Sequence, residues 1–289
     1  MSSLILVGLI NGTLLGLVFA LMASGFNLSL GIARVINFQH GAIVLWAMYA
    51  AYLLWAKGGV SPLISVVPIT VIWYVLGYLL QKYLVSYSLR GPEDNQILFA
   101  VGMLTALQFF AEYVFSGDAL AVRDEHISGA LIIGNQVIQW SILISALLSL
   151  AVLIGLHVLF IRTALGRNLR ACAQNSIGAS LSGLDINHLY AVAMGLSASC
   201  AAVSGVSMAL FVSIVPDRAF EYSLLSLVVS VLGGLGNMVG SILGGLIVGI
   251  VLTICQVLGY GALAQAIVYS LVFLIFLVRP TGMLGARTA

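Results

Sequence analysis

Charged side chains are scarce in this chain. Only 7% of its 289 residues are charged, 62% are hydrophobic, and the mean hydropathy is +1.16. Soluble proteins carry about 25% charged residues, so there are too few here to cover a surface in water. The scarcity excludes a soluble domain, and a net charge of only +2 gives no indication of nucleic-acid binding.

Cysteine is also rare. The three cysteines are Cys172, Cys200 and Cys255, two of them within apolar runs, and they suggest no disulfide framework. The first apolar run is without the basic start and the small-residue cleavage site of a signal peptide. We therefore expect that run to be retained as the first membrane helix.

Residues for enzyme chemistry are missing as well. The sequence has no Gly-Lys-Ser/Thr of a phosphate-binding loop and no His-Glu-x-x-His zinc motif. We therefore predict no catalytic residues, no metal site and no hydrolysis of ATP by this chain itself. His157 stands alone in an apolar run, and Glu112 is the one acid inside a predicted span. Proton-coupled carriers usually place acids or histidines at mid-membrane, so this pattern disfavours that mechanism.

Long apolar runs dominate the chain instead. Several approach or exceed the length of about 20 residues that a helix needs to cross a bilayer, and they are continuous where barrel strands would alternate. They predict an all-α, polytopic integral membrane protein with about eight or nine membrane segments. No stretch is polar enough for a separate soluble domain, so residues 1–289 are predicted to form one transmembrane domain. The runs lie near 4–30, 41–56, 62–84, 96–116, 137–161, 188–214, 222–239, 241–258 and 262–279.

The distribution of basic residues predicts the orientation, because they favour the cytoplasmic ends of membrane helices. With the segment 161–187 in the cytoplasm, alternation puts eight of the 11 lysines and arginines inside, provided that residues 222–258 cross twice or re-enter. The N-terminus is then expected outside and the C-terminus inside. The inner set is Arg34, Lys82, Arg90, Arg162, Arg167, Arg170, Arg279 and Arg287; the outer set is Lys57, Arg123 and Arg218; the outer acids are Asp118, Asp124, Glu125, Asp217 and Glu221.

A long basic loop, IRTALGRNLRACAQNSIGASLSGL over residues 161–184, interrupts the apolar runs. Thr163 can cap a helix start because its hydroxyl can accept an N–H of the first turn. An apolar stripe beside a basic side is typical of a helix that lies on a surface or fits a partner's groove. Resting on lipid headgroups and docking to a protein both remain open. The stripe is Leu165, Leu169, Ala173, Ile177 and Leu181, and the polar side is Arg167, Arg170 and Gln174.

The motif Asn37-Phe38-Gln39-His40-Gly41 opens the second apolar run, and Asn37 can cap the helix that starts there. A polar helix start can line a pathway. A simple cap with His40 at the headgroups explains the same residues.

The glycine-rich segment 231–249 has small residues at four-residue spacing, as do Gly12 and Gly16, which allows close helix packing. Its cluster Gly233-Gly234-Leu235-Gly236-Asn237 also predicts a broken or re-entrant element.

Taken in order, these motifs resemble those of the permease subunits of bacterial branched-chain amino acid ABC transporters, a family that also serves urea, amides and some aromatic acids. Residues 37–41 are similar to the family's Asn-Phe-Ala-His-Gly signature, with Gln39 for the usual Ala, and Ala42 stands where a Glu is common. Leu89–Asp94 matches only loosely. The other matching segments are Asn11-Gly12 with Ala20-Leu21 and Gly25, Arg162-Thr163 with Gly166-Arg167, Arg170–Ala173, Ala179 and Gly183, Val231–Gly236 with Gly244-Gly245, and Pro280–Gly285.

The resemblance implies a permease subunit of an inner-membrane ABC importer for branched-chain amino acids. It implies as partners a second homologous permease, two cytoplasmic ATPase subunits that hold the ATP and Mg, and a periplasmic binding protein. The alternative is a self-contained carrier or facilitator for small polar solutes such as urea or amides. The resemblance assigns ATPase coupling to Thr163, Gly166, Arg167, Arg170, Ala171, Ala179 and Gly183, and the translocation path to Asn37, Phe38, His40, Gly41, Gly233, Gly234, Gly236 and Asn237.

Overall fold

The computed structural model describes residues 2–33, 37–88, 93–124, 127, 129–133, 136–279 and 282–284. Some of the predicted features therefore lie outside the described residues. These are Arg34, Arg90, Glu125 and Arg287, the segment 89–92, and positions 280, 281 and 285 of the last motif.

Helices make up most of the described chain. They are α1 (Ser2–Ala33), α2 (His40–Gly58), α3 (Pro62–Leu79), α4 (Glu93–Phe115), α5 (Trp140–Arg162), α6 (Ala164–Gln174), α7 (Ser176–Leu181), α8 (Ile186–Ala209), α9 (Ala219–Gly233), α10 (Met238–Val257) and α11 (Ala264–Val278). After α3 the chain continues through a π-helical turn at Leu80–Val85 and a last helical turn at Ser86–Ser88. Apolar runs long enough for membrane helices thus form helices, as the sequence predicts.

Eight helices within the described residues are long and apolar enough to cross a membrane. The remaining predicted segment, 222–239, corresponds to α9, which has 15 residues. Helix α11 also has 15 residues, but it reaches 18 together with the 3-10 turn Gly261–Leu263 that precedes it. At about 1.5 Å per residue α9 is roughly 22 Å long, shorter than the hydrocarbon layer of about 30 Å. The predicted all-α membrane architecture is confirmed, with eight long helices and one short one.

Helix α8 lies at the centre of the bundle. Nearly all of its side chains are buried, and many are alanine, serine or glycine, which let neighbouring backbones approach closely. It packs against α1, α2 and α3. In contrast, α4 and α11 expose most of their apolar side chains on the outside of the bundle.

Helices α1 and α10 pack antiparallel along a line of glycines. Gly12 faces Ile250, Gly16 faces Leu246, and Gly249 faces the backbone of Gly16. A side chain at any of these glycines would meet backbone atoms of the other helix. The close packing inferred from the glycine spacing is confirmed here.

The predicted break in the glycine-rich segment is also confirmed. Helix α9 ends at Gly233 and α10 begins at Met238, and the turn between them needs positive φ angles of 111° at Gly234 and 77° at Gly236. Such angles favour glycine because it has no Cβ. The two helices therefore leave the turn side by side as an antiparallel pair.

The described basic residues lie at two opposite ends of the bundle. At one end, the turn between α9 and α10 meets Gly31, and Leu284 lies close to Arg170 and His157 around one pocket. At the other end, Ser61 donates a hydrogen bond of 2.8 Å to Asp124, and Leu120 pairs with Ile214 in a β-bridge. We name these ends the loop face, which carries α6 and α7, and the opposite face.

A small hairpin on the opposite face was not predicted. Strands β1 (Ala130–Ile133) and β2 (Gln136–Gln139) pair antiparallel, with Ala130 opposite Gln139. The prediction of a helical run from residue 137 was therefore wrong for its first three residues, which belong to β2. The β-branched residues Val137 and Ile138 suit a strand, and helix α5 begins only at Trp140.

Candidate coupling surface and membrane cavities

Helices α6 and α7 form the basic loop predicted at residues 161–187. Thr163 caps α6, as predicted, because its Oγ1 accepts a hydrogen bond of 3.0 Å from the Gly166 N–H. Asn175 caps α7 in the same way, accepting from the Gly178 N–H at 2.9 Å. Asp185 then caps α8 by accepting from the His188 N–H at 3.1 Å. Each helix start in this segment is therefore held by a side chain.

One expectation for this loop was wrong. The stripe of five apolar residues was read as one face of a single helix, but Asn175 has extended φ and ψ angles and divides the segment into two helices. Leu169 is fully buried against the bundle, whereas Ile177 is 74% and Leu181 is 86% exposed. The apolar positions thus point in two directions: into the protein on α6 and into the surroundings on α7.

The exposed side of the loop combines basic and apolar groups. Arg167 and Arg170 on α6 are exposed, as is Ala171 beside them. Ile177 and Leu181 of α7 add two large apolar side chains that nothing in the described chain covers. Contiguous exposed apolar groups beside charges are typical of a site where another protein docks. We call Arg167, Arg170, Ile177 and Leu181 the docking surface.

Three other residues assigned to coupling serve the shape of this loop. Gly166 is buried where α6 turns back on α5, and a Cβ there would overlap the Leu159 carbonyl and the Phe160 backbone. Ala179 is the buried residue on the inner side of α7. Gly183 ends α7 with a φ of 84°, and the Leu184 N–H beyond it donates to the Ala179 carbonyl at 3.2 Å. Their positions indicate that they hold the docking surface in place.

Cys172 lies on the inner side of α6. It is 2% exposed, and burial raises the pKa of its thiol. A thiol in this environment reacts slowly because the thiolate is the reactive form.

The motif at residues 37–41 is deeply buried. Asn37 does not cap α2, contrary to our prediction: α2 starts after Gln39 without a side-chain cap, and the Asn37 amide donates to the Met194 sulfur at 3.3 Å. His40 is fully buried, so it does not lie at the headgroups. The Met22 carbonyl can only accept, so the His40 Nε2–H donates to it, at 3.0 Å.

Gly41 brings α2 against the start of α9. Its N–H donates to the Ser223 Oγ at 3.0 Å, and that hydroxyl donates in turn to the Phe38 carbonyl. A Cβ at Gly41 would overlap the Ala219 carbonyl. None of Asn37, Phe38, His40 or Gly41 lines either of the two cavities described next, so the structure places this motif at a helix junction.

A pocket of about 390 Å³ opens at the loop face. It lies between α1, the end of α5, α6 and the turn between α9 and α10. Gly236 and Asn237 of the predicted path line it, whereas Gly233 and Gly234 are buried behind the turn. Asn237 also caps α10, accepting from the Gly240 N–H at 3.0 Å. The lining includes Asn27, His157 and Arg170.

A larger cavity of about 820 Å³ opens at the opposite face. On α1 it touches residues 11, 15 and 19, and the loop-face pocket begins only at residue 24. Between them Ala20–Ala23 are fully buried, so the cavities are separate. Sequence reasoning missed this cavity, because Arg218 and Glu221 were seen only as loop charges. The polar lining includes Asn11, Arg218, Glu221, Tyr222, Gln256 and Gln265.

Comparison with known proteins places this architecture in a family. The family model described as "Branched-chain amino acid transport system / permease component" matches residues 8–278. The high-affinity branched-chain amino acid transport system permease protein LivH of Escherichia coli is 28% identical over 296 residues, which covers 95% of this chain and 94% of the relative.

Two further relatives agree. The high-affinity permease protein BraD of Pseudomonas aeruginosa is 26% identical and covers 96% of this chain and 94% of its own length. A probable branched-chain amino acid transport permease protein of Methanocaldococcus jannaschii is 24% identical, covering 92% of this chain and 88% of its own length. No solved structure matches the chain. The chain therefore belongs to the permease-component family of branched-chain amino acid transport systems, and it is a membrane subunit of an ABC importer.

Proposed function

We propose that this chain forms the membrane passage of an importer for branched-chain amino acids and that its docking surface binds cytoplasmic ATPase subunits. The observation that carries the proposal is that one loop, whose helix starts are capped by Thr163 and Asn175, exposes two large apolar side chains as well as two arginines: Ile177, Leu181, Arg167 and Arg170. Apolar side chains with 74% and 86% exposure are costly in water and become buried when a partner covers them.

The proposed partners are those that the family of ABC importers implies. ATP and Mg bind to the ATPase subunits, and this chain contributes neither a cofactor site nor an enzyme activity. Closure of the ATPase dimer pushes on α6 and α7, and the buried contact of Gly166 with α5 passes the movement into the bundle. A second homologous permease completes the passage, and a periplasmic binding protein delivers the substrate. The loop face is cytoplasmic, with the N-terminus outside and the C-terminus inside.

Charge reversal tests the ATPase contact. In a complex purified through this chain, Arg167→Glu with Arg170→Glu should lower the amount of co-purifying ATPase at least severalfold, because the docking surface becomes acidic. The matched control is Lys57→Glu with Arg123→Glu, two exposed basic residues of the opposite face. Normal ATPase co-purification and uptake in the loop variant, with insertion intact, would refute the docking assignment.

Transport measurements test the substrate. Proteoliposomes that hold the complete complex with its ATPase subunits facing the lumen should take up leucine, isoleucine or valine. Uptake should require ATP in the lumen and the binding protein in the outside solution. Liposomes with this chain alone should show no flux of leucine, urea or amides. Uptake of urea or an amide by the complex with no uptake of branched-chain amino acids would overturn the proposed substrate.

Labelling with a membrane-impermeant maleimide tests the orientation. Leu181→Cys, in a Cys255→Ala background and expressed without the ATPase subunits, should react in inverted membrane vesicles and stay unreacted in right-side-out cells. Asp118→Cys, exposed on the opposite face, should show the reverse pattern. The opposite result for both positions would invert the proposed orientation.

A further inference from the structure

The cavity at the opposite face carries two opposite charges on one wall. Arg218 follows Pro216 in a short 3-10 turn, and Glu221 lies one turn later in the first turn of α9. We propose that this cavity is a binding site for a zwitterionic α-amino acid, with Arg218 holding the carboxylate and Glu221 holding the ammonium group. The inference rests on the proposed function, since it assigns the substrate class of that importer to a place in this chain.

The geometry leaves both charges available. The Arg218 Nη1 atom and the Glu221 Oε2 atom are 4.0 Å apart, and the side chains are 48% and 33% exposed. A direct charge-assisted hydrogen bond is about 2.7–2.9 Å long, so this is a loose pair. The Gln265 amide of α11 donates to the Glu221 Oε1 and holds the carboxylate in place. A ligand that carries both charges can form two tighter contacts in place of this one.

The charge balance favours a zwitterion over an ion of one sign. Arg218 and Glu221 are the charged residues in the described lining, one of each sign. An anion or a cation alone would pair with one of them and leave the other without a partner in a confined space, which is costly. Urea and simple amides carry no charge, so they would gain little from either group.

The wall also offers polar atoms without partners. Tyr222 lines the cavity and is 3% exposed, and its hydroxyl has no hydrogen-bond partner among the described residues. The Asn11 Oδ1, on α1 across the cavity, is buried and also lacks a partner in the described chain. Buried polar atoms are normally satisfied, so a ligand or water that reaches these two atoms from the cavity would satisfy them.

The deeper wall is apolar. Leu15 and Phe19 of α1, Leu225 of α9 and Leu252 of α10 lie below the charged pair. A volume of about 820 Å³ lies within the range of about 300–1,000 Å³ typical of small-molecule sites. A hydrophobic amino acid can therefore hold its charged end at Arg218 and Glu221 and its side chain against these residues.

The site is tested by the ligand-dependent thermal stability of the detergent-purified complex of permease and ATPase subunits, without the periplasmic binding protein. Leucine, leucine amide and 4-methylpentanoate share a side chain, but the amide lacks the carboxylate and 4-methylpentanoate lacks the ammonium group. We expect leucine to raise the unfolding midpoint of the wild type more than either analogue does. Arg218→Gln should bind leucine about ten- to hundredfold more weakly and no longer distinguish it from leucine amide.

Glu221→Gln should similarly fail to distinguish leucine from 4-methylpentanoate. The matched controls are Arg123→Gln and Asp118→Asn, exposed charges of the same face outside the cavity, which should keep the wild-type order of ligands. Undiminished discrimination in both cavity variants would overturn the site. So would a wild type that leucine does not stabilise although the complete complex imports it, and in that case the proposed function would stand. Failure of leucine uptake itself would instead refute the proposed function.

Discussion

Gly249 of α10 lies directly against Gly16 of α1. A Cβ placed on Gly249 would be 2.5 Å from the Gly16 Cα and would also overlap the Gly12 carbonyl. Because lipid is as apolar as the helix surfaces, close backbone packing is a main source of attraction between membrane helices. The absence of a side chain at this position is therefore a condition for the contact between α1 and α10.

Gly249→Ala should destabilise the protein. The added methyl group would force α1 and α10 apart, at a cost of about 1–3 kcal/mol, and the unfolding midpoint in detergent should fall by several degrees. Gly155→Ala is the control, because Gly155 lies on α5 with no atom within 4 Å of an added Cβ. An equal fall in both variants would show that close packing is not the cause.

Loss of the caps should loosen the basic loop. Thr163→Ala and Asn175→Ala each remove an acceptor for a backbone N–H, at a cost of about 1 kcal/mol. Hydrogen–deuterium exchange should become faster in α6 for the first variant and in α7 for the second. Ser180→Ala, an exposed position on α7, should leave both rates unchanged. Identical exchange in all three variants would argue against the caps.

Thiol labelling should separate the two sides of the loop. Native Cys172 should resist maleimide until the protein is denatured, since it is buried and its pKa is raised. Ile177→Cys, in a Cys255→Ala background, should react quickly in the isolated subunit and slowly in the assembled complex. Rapid labelling of Cys172 in the folded protein would contradict the packing of α6.

His40 should matter for stability more than for substrate affinity. His40→Leu removes the donor to the Met22 carbonyl, which should lower the free energy of unfolding by about 1–3 kcal/mol. His40→Gln keeps a donor and should recover part of that loss. Because His40 lines neither cavity, the substrate concentration for half-maximal uptake should stay the same in both. A large change in that concentration would place His40 on the path.

Run length and hydropathy predicted the membrane helices well. In lipid, every backbone polar group must be hydrogen-bonded within the protein. Long apolar runs such as 62–84 and 262–279 are therefore expected to be helical. The glycines of 231–249 predicted the break, because the positive φ angles at Gly234 and Gly236 are a property of the local backbone. Their four-residue spacing also predicted a face for close packing, although not that α1 is the helix it packs against. These features depend on neighbouring residues in the sequence, which is why sequence alone could predict them.

The sequence could not predict which distant segments are in contact. Asn175 looked like one more polar residue of a helix, and only its capping bond to Gly178 divides α6 from α7. The same holds for Asn37, whose contact with Met194 depends on how α2 meets α8. The sequence likewise could not show that Arg218 and Glu221 line a cavity, because the wall depends on α11, whose Gln265 donates to Glu221. No local spacing predicts which helices will be neighbours.

The last carbonyls of α9 find their hydrogen-bond partners near the end of the chain. The N–H groups of Met283 and Leu284 donate to the carbonyls of Leu232 and Gly233 at 3.0 and 3.1 Å, and these are among the last carbonyls of α9, which have no partner within the helix. Met283 and Leu284 follow α11 in the chain. The end of α9 therefore stays incompletely bonded until α10, α11 and the residues after them have left the ribosome. A chain truncated before residue 283 would keep all of its membrane helices but would leave these two carbonyls without their partners.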